Sequence, residues 1–290
     1  MKNTALYFTA LLFGTFAAAQ NVPKTLLWEV TKGGSTHKSY LFGTFHDVTP
    51  AFFNTLSNAV SKLNASDILF VEEQRSPASD SCRLKNFSAW SMKEWKAFLS
   101  PQQDSTFSAF VAKADDSMYY RLSPFYLTLV LGRLYMQNFC ETDTVFDELM
   151  DHYIEKLALK GKKTVRSLDE KQMKILQRAN AGMRNHEDSV YAATGIELMQ
   201  NMLNNDVTGC EVMNTYKRFE VDYKLDSGLT GKPDERVLLI ERNNRWLRIL
   251  DAAFSRESCF VAVGLRHLFY KQGLVQLLRS RGYTVKPIPG

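Results

Sequence analysis

The sequence lacks the features that mark several specialised classes of protein. Beyond its N-terminus it has no apolar run of about 18 or more residues, so no internal membrane helix is expected. It has no low-complexity linker and no long repeat that would divide the chain. It contains no Cys-x-x-Cys pair, no Gly-x-Ser-x-Gly, no phosphate-binding loop and no His-Glu-x-x-His. The common redox, serine-hydrolase, nucleotide-binding and zincin signatures are therefore all missing.

The sequence also has only a small excess of positive over negative residues. The 290 residues carry 36 Lys and Arg against 31 Asp and Glu, a formal net charge of +5. The basic residues form no stripe or long run, so we expect no nucleic-acid partner. Hydrophobic residues make up 45% and charged residues 23%, which excludes wholesale disorder and predicts a globular chain with a sizeable core.

The first twenty residues predict an export signal. A short positive start, Met1 to Asn3, precedes an apolar run over residues 5–16 and a small-residue exit at 17–19. This is the pattern of a secretory signal peptide, although a buried N-terminal helix is an alternative reading. We predict a signal peptide over residues 1–19, with the protein exported to the periplasm or secreted and a single domain over residues 20–290.

The predicted export makes disulfide bonds possible among the four cysteines, which are Cys82, Cys140, Cys210 and Cys259. In an oxidising compartment an even set allows up to two disulfides. Four cysteines permit three connectivities, and their spacing does not choose among them. Buried free thiols are the alternative for any one pair.

The hydrophobic pattern predicts an α/β fold. The pattern over residues 26–30 and 40–45 predicts an antiparallel hairpin with its turn at Gly33 and Gly34. The pattern over residues 51–63 predicts one amphipathic helix. Short apolar runs at 67–72, 163–168 and 259–263, and a last run at 283–286, predict further strands. Helical patterns dominate most of the remaining chain. We therefore predict a mixed β-sheet flanked by helices, with a large helical insertion over about residues 88–256.

The candidate site residues lie in two similar motifs, each at the end of a predicted strand. Gly43-Thr44-Phe45-His46 and Gly264-Leu265-Arg266-His267 each place a histidine three residues after a glycine at the end of a predicted strand. Glu72 follows a third strand. Ligands bind at the carboxyl ends of strands in open α/β sheets, so two imidazoles and a carboxylate meeting there would suit a divalent transition metal. One such motif alone carries little weight, and Glu72 could instead cap the next segment or pair with Arg75 on the surface.

The same residues, with several other segments, resemble the TraB/PrgY/GumN family, which includes the Tiki proteases. The resembling segments span nearly the whole predicted mature chain in the expected order: residues 27–30, 39–46, 67–72, 161–169, 241–246, 263–268, 273–274 and 281–285. The resemblance implies the fold of the erythromycin-esterase-like and haem-uptake ChaN-like proteins. It also implies a metal-dependent protease that uses His46, His267 and Glu72.

Two residues depart from the family pattern, and a third is unusual. Asp169 stands where glutamate is usual, and Gln74 stands where an acidic residue often follows the key strand. Arg266 lies inside the second motif, where small residues are common, and could narrow the site or reach an acidic group.

The leading hypothesis is an exported metal-dependent hydrolase, a peptidase, acting on a peptide or small-molecule substrate. His46 and His267 would bind Mn, Co or Zn, with Glu72 as third ligand or general base. Arg242 and Asn243 would stabilise an oxyanion or hold a carboxyl end. One alternative is a non-catalytic protein that sequesters a peptide or haem. Another is a metal-independent, esterase-like hydrolase in which His46 is a base.

Overall fold

A six-stranded mixed sheet forms the framework of the described part of the chain. The computed structural model describes residues 23–74, 90–141, 148–169, 171–183 and 185–290. The strands are β1 Leu27–Lys32, β2 Ser39–Thr44, β3 Ile68–Val71, β4 Thr164–Ser167, β5 Cys259–Gly264 and β6 Tyr283–Ile288, in the spatial order β4-β3-β5-β2-β1-β6.

The strand directions confirm the predicted fold class. Strands β4, β3, β5 and β2 are parallel to one another, while β1 is antiparallel to β2 and β6 is antiparallel to β1. The predicted hairpin is therefore β1 and β2. All four residues of β3 are buried, as are the first five of β5, because both faces of these central strands are covered.

Helices occupy most of the remaining described chain. The α-helices are α1 Pro50–Thr55, α2 Ser57–Ala65, α3 Met92–Phe98, α4 Pro101–Ala114, α5 Pro124–Tyr135, α6 Met150–Lys160, α7 Gln172–Ala181, α8 Asn185–Asn204, α9 Glu211–Lys217, α10 Pro233–Glu235, α11 Glu241–Phe254 and α12 Leu274–Ser280. Single turns of 3₁₀-helix lie at Ser117–Arg121, Thr208–Cys210 and Leu265–Leu268, and π-helical turns lie at Met136–Cys140 and Arg236–Ile240.

The prediction of one helix over residues 51–63 is wrong, because the structure has two helices there, α1 and α2. Leu56 leaves the helical conformation at φ −84° and ψ 74°, which ends α1 and begins α2. The Leu56 side chain is buried, so its packing in the core outweighs the continuation of the helical hydrogen bonds. The amphipathic pattern survives the break because Phe53, Ala59 and Leu63 still face the core.

The long segment between β3 and β5 is mainly helical, and it returns once to the sheet to supply β4. A disulfide joins Cys140 to Cys210 within this segment, which selects one pairing among those left open. Cys259 is a buried free thiol, and Cys82 lies outside the described residues. The predicted signal peptide also lies outside them. No helix in the described ranges is long and apolar enough to cross a membrane.

Candidate active site at the carboxyl ends of three parallel strands

Three neighbouring parallel strands end side by side and deliver the predicted site residues to one edge of the sheet. In the parallel register Thr44 of β2 lies opposite Gly264 of β5, and Val71 of β3 lies opposite Ala262. His46, Glu72 and His267 follow the ends of these strands and come together there. The arrangement places the two Gly-x-x-His motifs on adjacent strands, 221 residues apart in sequence but in register in space.

Gly264 lies at the centre of this group. A Cβ atom at this position would lie 3.0 Å from Glu72 Oε1, 3.5 Å from His46 Nε2 and 3.8 Å from His267 Cδ2. The backbone φ of −50° would suit any residue, so the requirement for glycine here is space and not conformation. The backbone N–H of Gly264 also donates to Glu72 Oε1 over 2.7 Å.

The His46 ring is oriented by a hydrogen bond to an acidic residue of helix α6. Its Nδ1–H donates to Asp151 Oδ2, and Thr44 Oγ1 donates to the other oxygen of the same carboxylate. The Asp151 carboxylate raises the pKa of His46 to about 9, against the opposing effect of burial. The side chain is 46% exposed, so Nε2 is left open to the cavity. At neutral pH His46 is thus a protonated imidazole that presents an N–H.

Glu72 is buried and ionised. Its Oε2 accepts hydrogen bonds from Arg242 Nη2 and, over 2.9 Å, from Gln172 Nε2. Burial alone would raise the pKa of Glu72, but the Arg242 guanidinium, with the protonated His46 and the Gly264 N–H, outweighs it and holds the pKa well below its usual range. The Glu72 side chain is buried and pairs with Arg242, whereas Arg75, its alternative predicted partner, lies outside the described residues.

Arg242, on helix α11, uses all of its hydrogen-bond donors within the protein. Its Nε and Nη2 donate to Asp169 Oδ2 over 2.8 and 2.7 Å, and Nη2 also donates to Glu72. Its Nη1 donates to Leu238 O over 3.1 Å and contacts His267 Nε2 at 3.0 Å. A guanidinium has five N–H donors, and these five contacts account for them. Arg242 therefore contributes a fixed positive charge to the site.

His267 is buried and fixed in one tautomer. Arginine can only donate, so His267 Nε2 accepts from Arg242, and His267 Nδ1–H donates to Asn243 Oδ1 over 2.7 Å. Burial, and next the positive charge of Arg242, lower the pKa of His267 to about 3. The Asn243 amide nitrogen bonds to the carbonyl oxygens of His267 and Gln272. Asn243 is thus placed behind His267 and orients its ring.

The sequence did not indicate that four further residues belong to the site: Asp151, its hydrogen-bond partner Thr44, Gln172 and Trp246. The Trp246 ring packs on His267 with centroids 4.3 Å apart, and its Nε1–H donates to Asp169 Oδ1 over 2.8 Å. The Arg242 guanidinium lies 4.6 Å from the centre of the Trp246 ring. Spacing offered a signal for Trp246, which follows Arg242 by one helical turn. No local pattern connects Asp151 with His46, since helix α6 meets β2 only through the tertiary fold.

A cavity of about 730 Å³ opens above these residues. Its floor contains His46, Glu72, Arg242, Gly264 and His267, while its walls come mainly from apolar side chains of α5, α7, α9 and the π-helical turn before α11. Cavities of roughly 300–1,000 Å³ with a few convergent polar groups are typical of small-molecule sites. The volume of this cavity lies within that range.

The predicted metal ligands meet only some of the requirements of a divalent ion. Both imidazoles have Nδ1 engaged by an oxygen atom, which in metal sites commonly directs Nε2 to the ion. However, His267 Nε2 is already in contact with the Arg242 cation, which also pairs with Glu72. Across the described ranges no group of three or more His, Cys, Asp or Glu side chains is arranged to hold a metal ion. In this arrangement the Arg242 guanidinium provides a positive charge next to Glu72.

Comparison with known proteins identifies the family. The model of the TraB/PrgY/gumN family matches residues 26–287, which is nearly the whole chain. The chain belongs to the TraB/PrgY/gumN family. The family resemblance seen in the sequence is thereby confirmed, and all of the site residues described above lie within the matched range. No curated protein and no solved structure gave a match to this TraB/PrgY/gumN chain.

Proposed function

We propose that this chain is a hydrolase whose reaction takes place at His46 Nε2, beside the Glu72–Arg242 pair. The observation that supports the proposal is the open Nε2–H of His46 on the floor of the cavity, with Nδ1 held by Asp151. An imidazole oriented by a carboxylate is a common arrangement for proton transfer in hydrolases.

The charges at the cavity floor suit attack of water on an ester or amide carbonyl. Negative charge that develops on the carbonyl oxygen would face the His46 Nε2–H and the nearby Arg242 cation. His46 would then give its proton to the leaving group. Glu72 Oε1 accepts one bond, from Gly264, and a carboxylate oxygen has room for a second, so it can orient the attacking water and accept the proton that this water loses. Release of that proton to solvent and reprotonation of His46 would restore the starting state.

The metal-dependent peptidase predicted from the family resemblance is the second candidate. The support for it is the pair of imidazoles whose Nδ1 atoms are both fixed by oxygen atoms. His46, Glu72 and His267 would hold Mn, Co or Zn, with His267 released from Arg242. The ion would polarise the scissile carbonyl and lower the pKa of a bound water. Metal use and peptide cleavage both remain predictions.

Export remains part of the proposal. The Cys140–Cys210 disulfide supports it, because stable disulfides form mainly in secreted and periplasmic proteins. Mass spectrometry of the protein from its native cell envelope or culture medium would check both points. We expect a mature N-terminus at Gln20 and no free thiol at Cys140 or Cys210.

The decisive experiment compares the wild-type protein with His46→Ala and His37→Ala. His37 lies in the turn between β1 and β2, outside the cavity, and serves as a matched control. Turnover of a peptide library and an ester panel is measured before and after exhaustive chelation, together with elemental analysis. We expect His46→Ala to lose turnover and His37→Ala to keep it.

The outcomes separate the candidates. Turnover that survives chelation supports the metal-independent form, whereas loss on chelation with recovery in Mn, Co or Zn supports the metal-dependent peptidase. A haem absorbance band with no hydrolysis of any substrate would instead indicate a sequestering protein. Full turnover in His46→Ala would overturn the proposal that the reaction takes place at this residue.

A further inference from the structure

Much of the cavity wall is apolar, and this includes side chains that are exposed at the surface. Leu129, Ile175, Leu176, Val212, Leu238 and Leu265 all line it. Two of them, Leu129 and Val212, are 41% and 54% exposed. Large apolar side chains that are exposed singly are common, but here they border the entrance of a concave site. A substrate with an apolar body would cover them.

Three arginines line the same cavity, and two of them are paired with carboxylates. Arg133 Nε donates to Asp47 Oδ1 over 3.1 Å. Arg242 pairs with Glu72 and Asp169. Arg266 is exposed and, within the described parts of the chain, makes no ion pair and no side-chain hydrogen bond. The cavity thus contains one cation that no carboxylate of these parts neutralises.

The other acidic residues on the cavity wall already have partners. Asp234 Oδ2 accepts a hydrogen bond from Tyr191 Oη over 2.7 Å. Glu235 Oε2 accepts from Thr230 Oγ1 over 2.8 Å and from the Gly231 backbone N–H over 3.0 Å, which ties it to its own loop. Neither carboxylate pairs with Arg266. An anion from outside the protein would find this guanidinium with its donors unused.

We propose that Arg266 binds a carboxylate carried by an otherwise apolar small substrate. The inference rests on the proposed function, because it names the substrate class of that same site. A guanidinium presents paired N–H donors that match the two oxygens of a carboxylate. Arg266 immediately precedes His267 in a 3₁₀ turn that begins at the end of β5, so its backbone lies at the same edge of the sheet as His46 and Glu72. The apolar walls would hold the body of the substrate between Arg266 and the pair of His46 and Glu72.

Two pairs of probes test this proposal by calorimetric binding. One pair is N-acetyl-trileucine with a free carboxylate and the same peptide as its C-terminal amide. The other pair is octanoate and octanamide, which present a carboxylate without a peptide. Each is measured with wild type, Arg266→Gln and Arg248→Gln. Arg248 is an exposed arginine of α11 that does not line the cavity, so its variant makes the same charge change elsewhere.

We expect wild type to bind at least one free acid about two- to fivefold more tightly than its amide, as suits an exposed charge pair. Arg266→Gln should abolish the preference, whereas Arg248→Gln should keep it. A preference in only the peptide pair, or only the octanoate pair, identifies the source of the carboxylate. Equal binding of acid and amide in both pairs, no binding of any probe, or a preference that survives Arg266→Gln would overturn the proposal.

Repeating the measurement in His46→Ala separates this inference from the proposed function. His46→Ala is expected to lose hydrolysis while the preference for the acid persists. Hydrolysis that persists in this variant would count against the proposed role of His46 and leave the role of Arg266 supported. Loss of the acid preference in Arg266→Gln, together with loss of hydrolysis in His46→Ala, would support both.

Discussion

Arg242 Nη1 donates a hydrogen bond to His267 Nε2 over 3.0 Å, although His267 was predicted to bind a metal ion and Arg242 to act on the substrate. The contact joins helix α11 to the second Gly-x-x-His motif and fixes the proton of His267 on Nδ1. His267 therefore belongs to the supporting framework of the site in this arrangement, while His46 faces the cavity.

The His267 ring should stay neutral far into acid. Its pKa is lowered to about 3 by burial and by the neighbouring Arg242 cation, so it should not titrate near the ordinary value of about 6.5. NMR of ¹⁵N-histidine-labelled protein should show one Nδ1–H tautomer at pH 5–8. Titration of His267 near pH 6.5 would contradict the contact with Arg242.

Asp151→Asn should lower the pKa of His46 from about 9 toward its ordinary value, because the carboxylate is the main cause of the shift. A raised pKa in the folded state stabilises the fold below the unfolded pKa of about 6.5, and this stabilisation is lost as the pH rises through about 9. NMR titration of His46 in wild type and Asp151→Asn measures the shift. An unchanged midpoint in the variant would show that Asp151 does not hold this ring.

Gly264→Ala should reduce turnover by about a hundredfold, since small displacements of reacting groups can have effects of that size. The new methyl group would lie 3.0 Å from Glu72 Oε1 and 3.5 Å from His46 Nε2. Gly33→Ala is the control, because nothing lies within 4 Å of a Cβ there. Steady-state kinetics with the best substrate found for wild type, beside thermal unfolding, tests this. Wild-type turnover in Gly264→Ala would show that the reacting groups do not surround this glycine.

Arg242→Met should lower the free energy of unfolding by about 3–5 kcal/mol, because it leaves Glu72 as a buried charge without its guanidinium partner, while Asp169 keeps its pairing with Arg245. The exposed Arg248→Met should change it by no more than about 0.5 kcal/mol. Urea denaturation at pH 7 measures both. The pKa of Glu72 is depressed, so the difference should be present above about pH 4.3 and shrink as the pH falls below it. A similar, small effect of both substitutions would contradict the buried ion-pair network.

The sheet and the position of the site were largely predictable from local patterns. Short apolar runs marked β3 and β5, and a glycine followed by a histidine marked two strand ends. The one clear error in a helix came at Leu56, where packing of a single side chain interrupts a regular pattern. Local periodicity reports which residues face the core, but it does not report where core packing ends a helix.

The roles of the side chains were much less predictable. Asn243 was expected to face a substrate and instead orients His267, and Asp151 was not foreseen at all. Both roles depend on contacts between elements that are far apart in sequence. The same is true of the disulfide, whose partners Cys140 and Cys210 are separated by 70 residues.

The sequence by itself determined the family, the α/β class and the three strand ends that carry His46, Glu72 and His267, because these follow from residue patterns within short segments. Only the tertiary structure decided how these residues are charged and which atoms stay open. Charge states depend on burial and on the nearest ions, here Asp151 for His46 and Arg242 for Glu72 and His267. Those neighbours come from helices α6 and α11, and only folding brings them to the edge of the sheet.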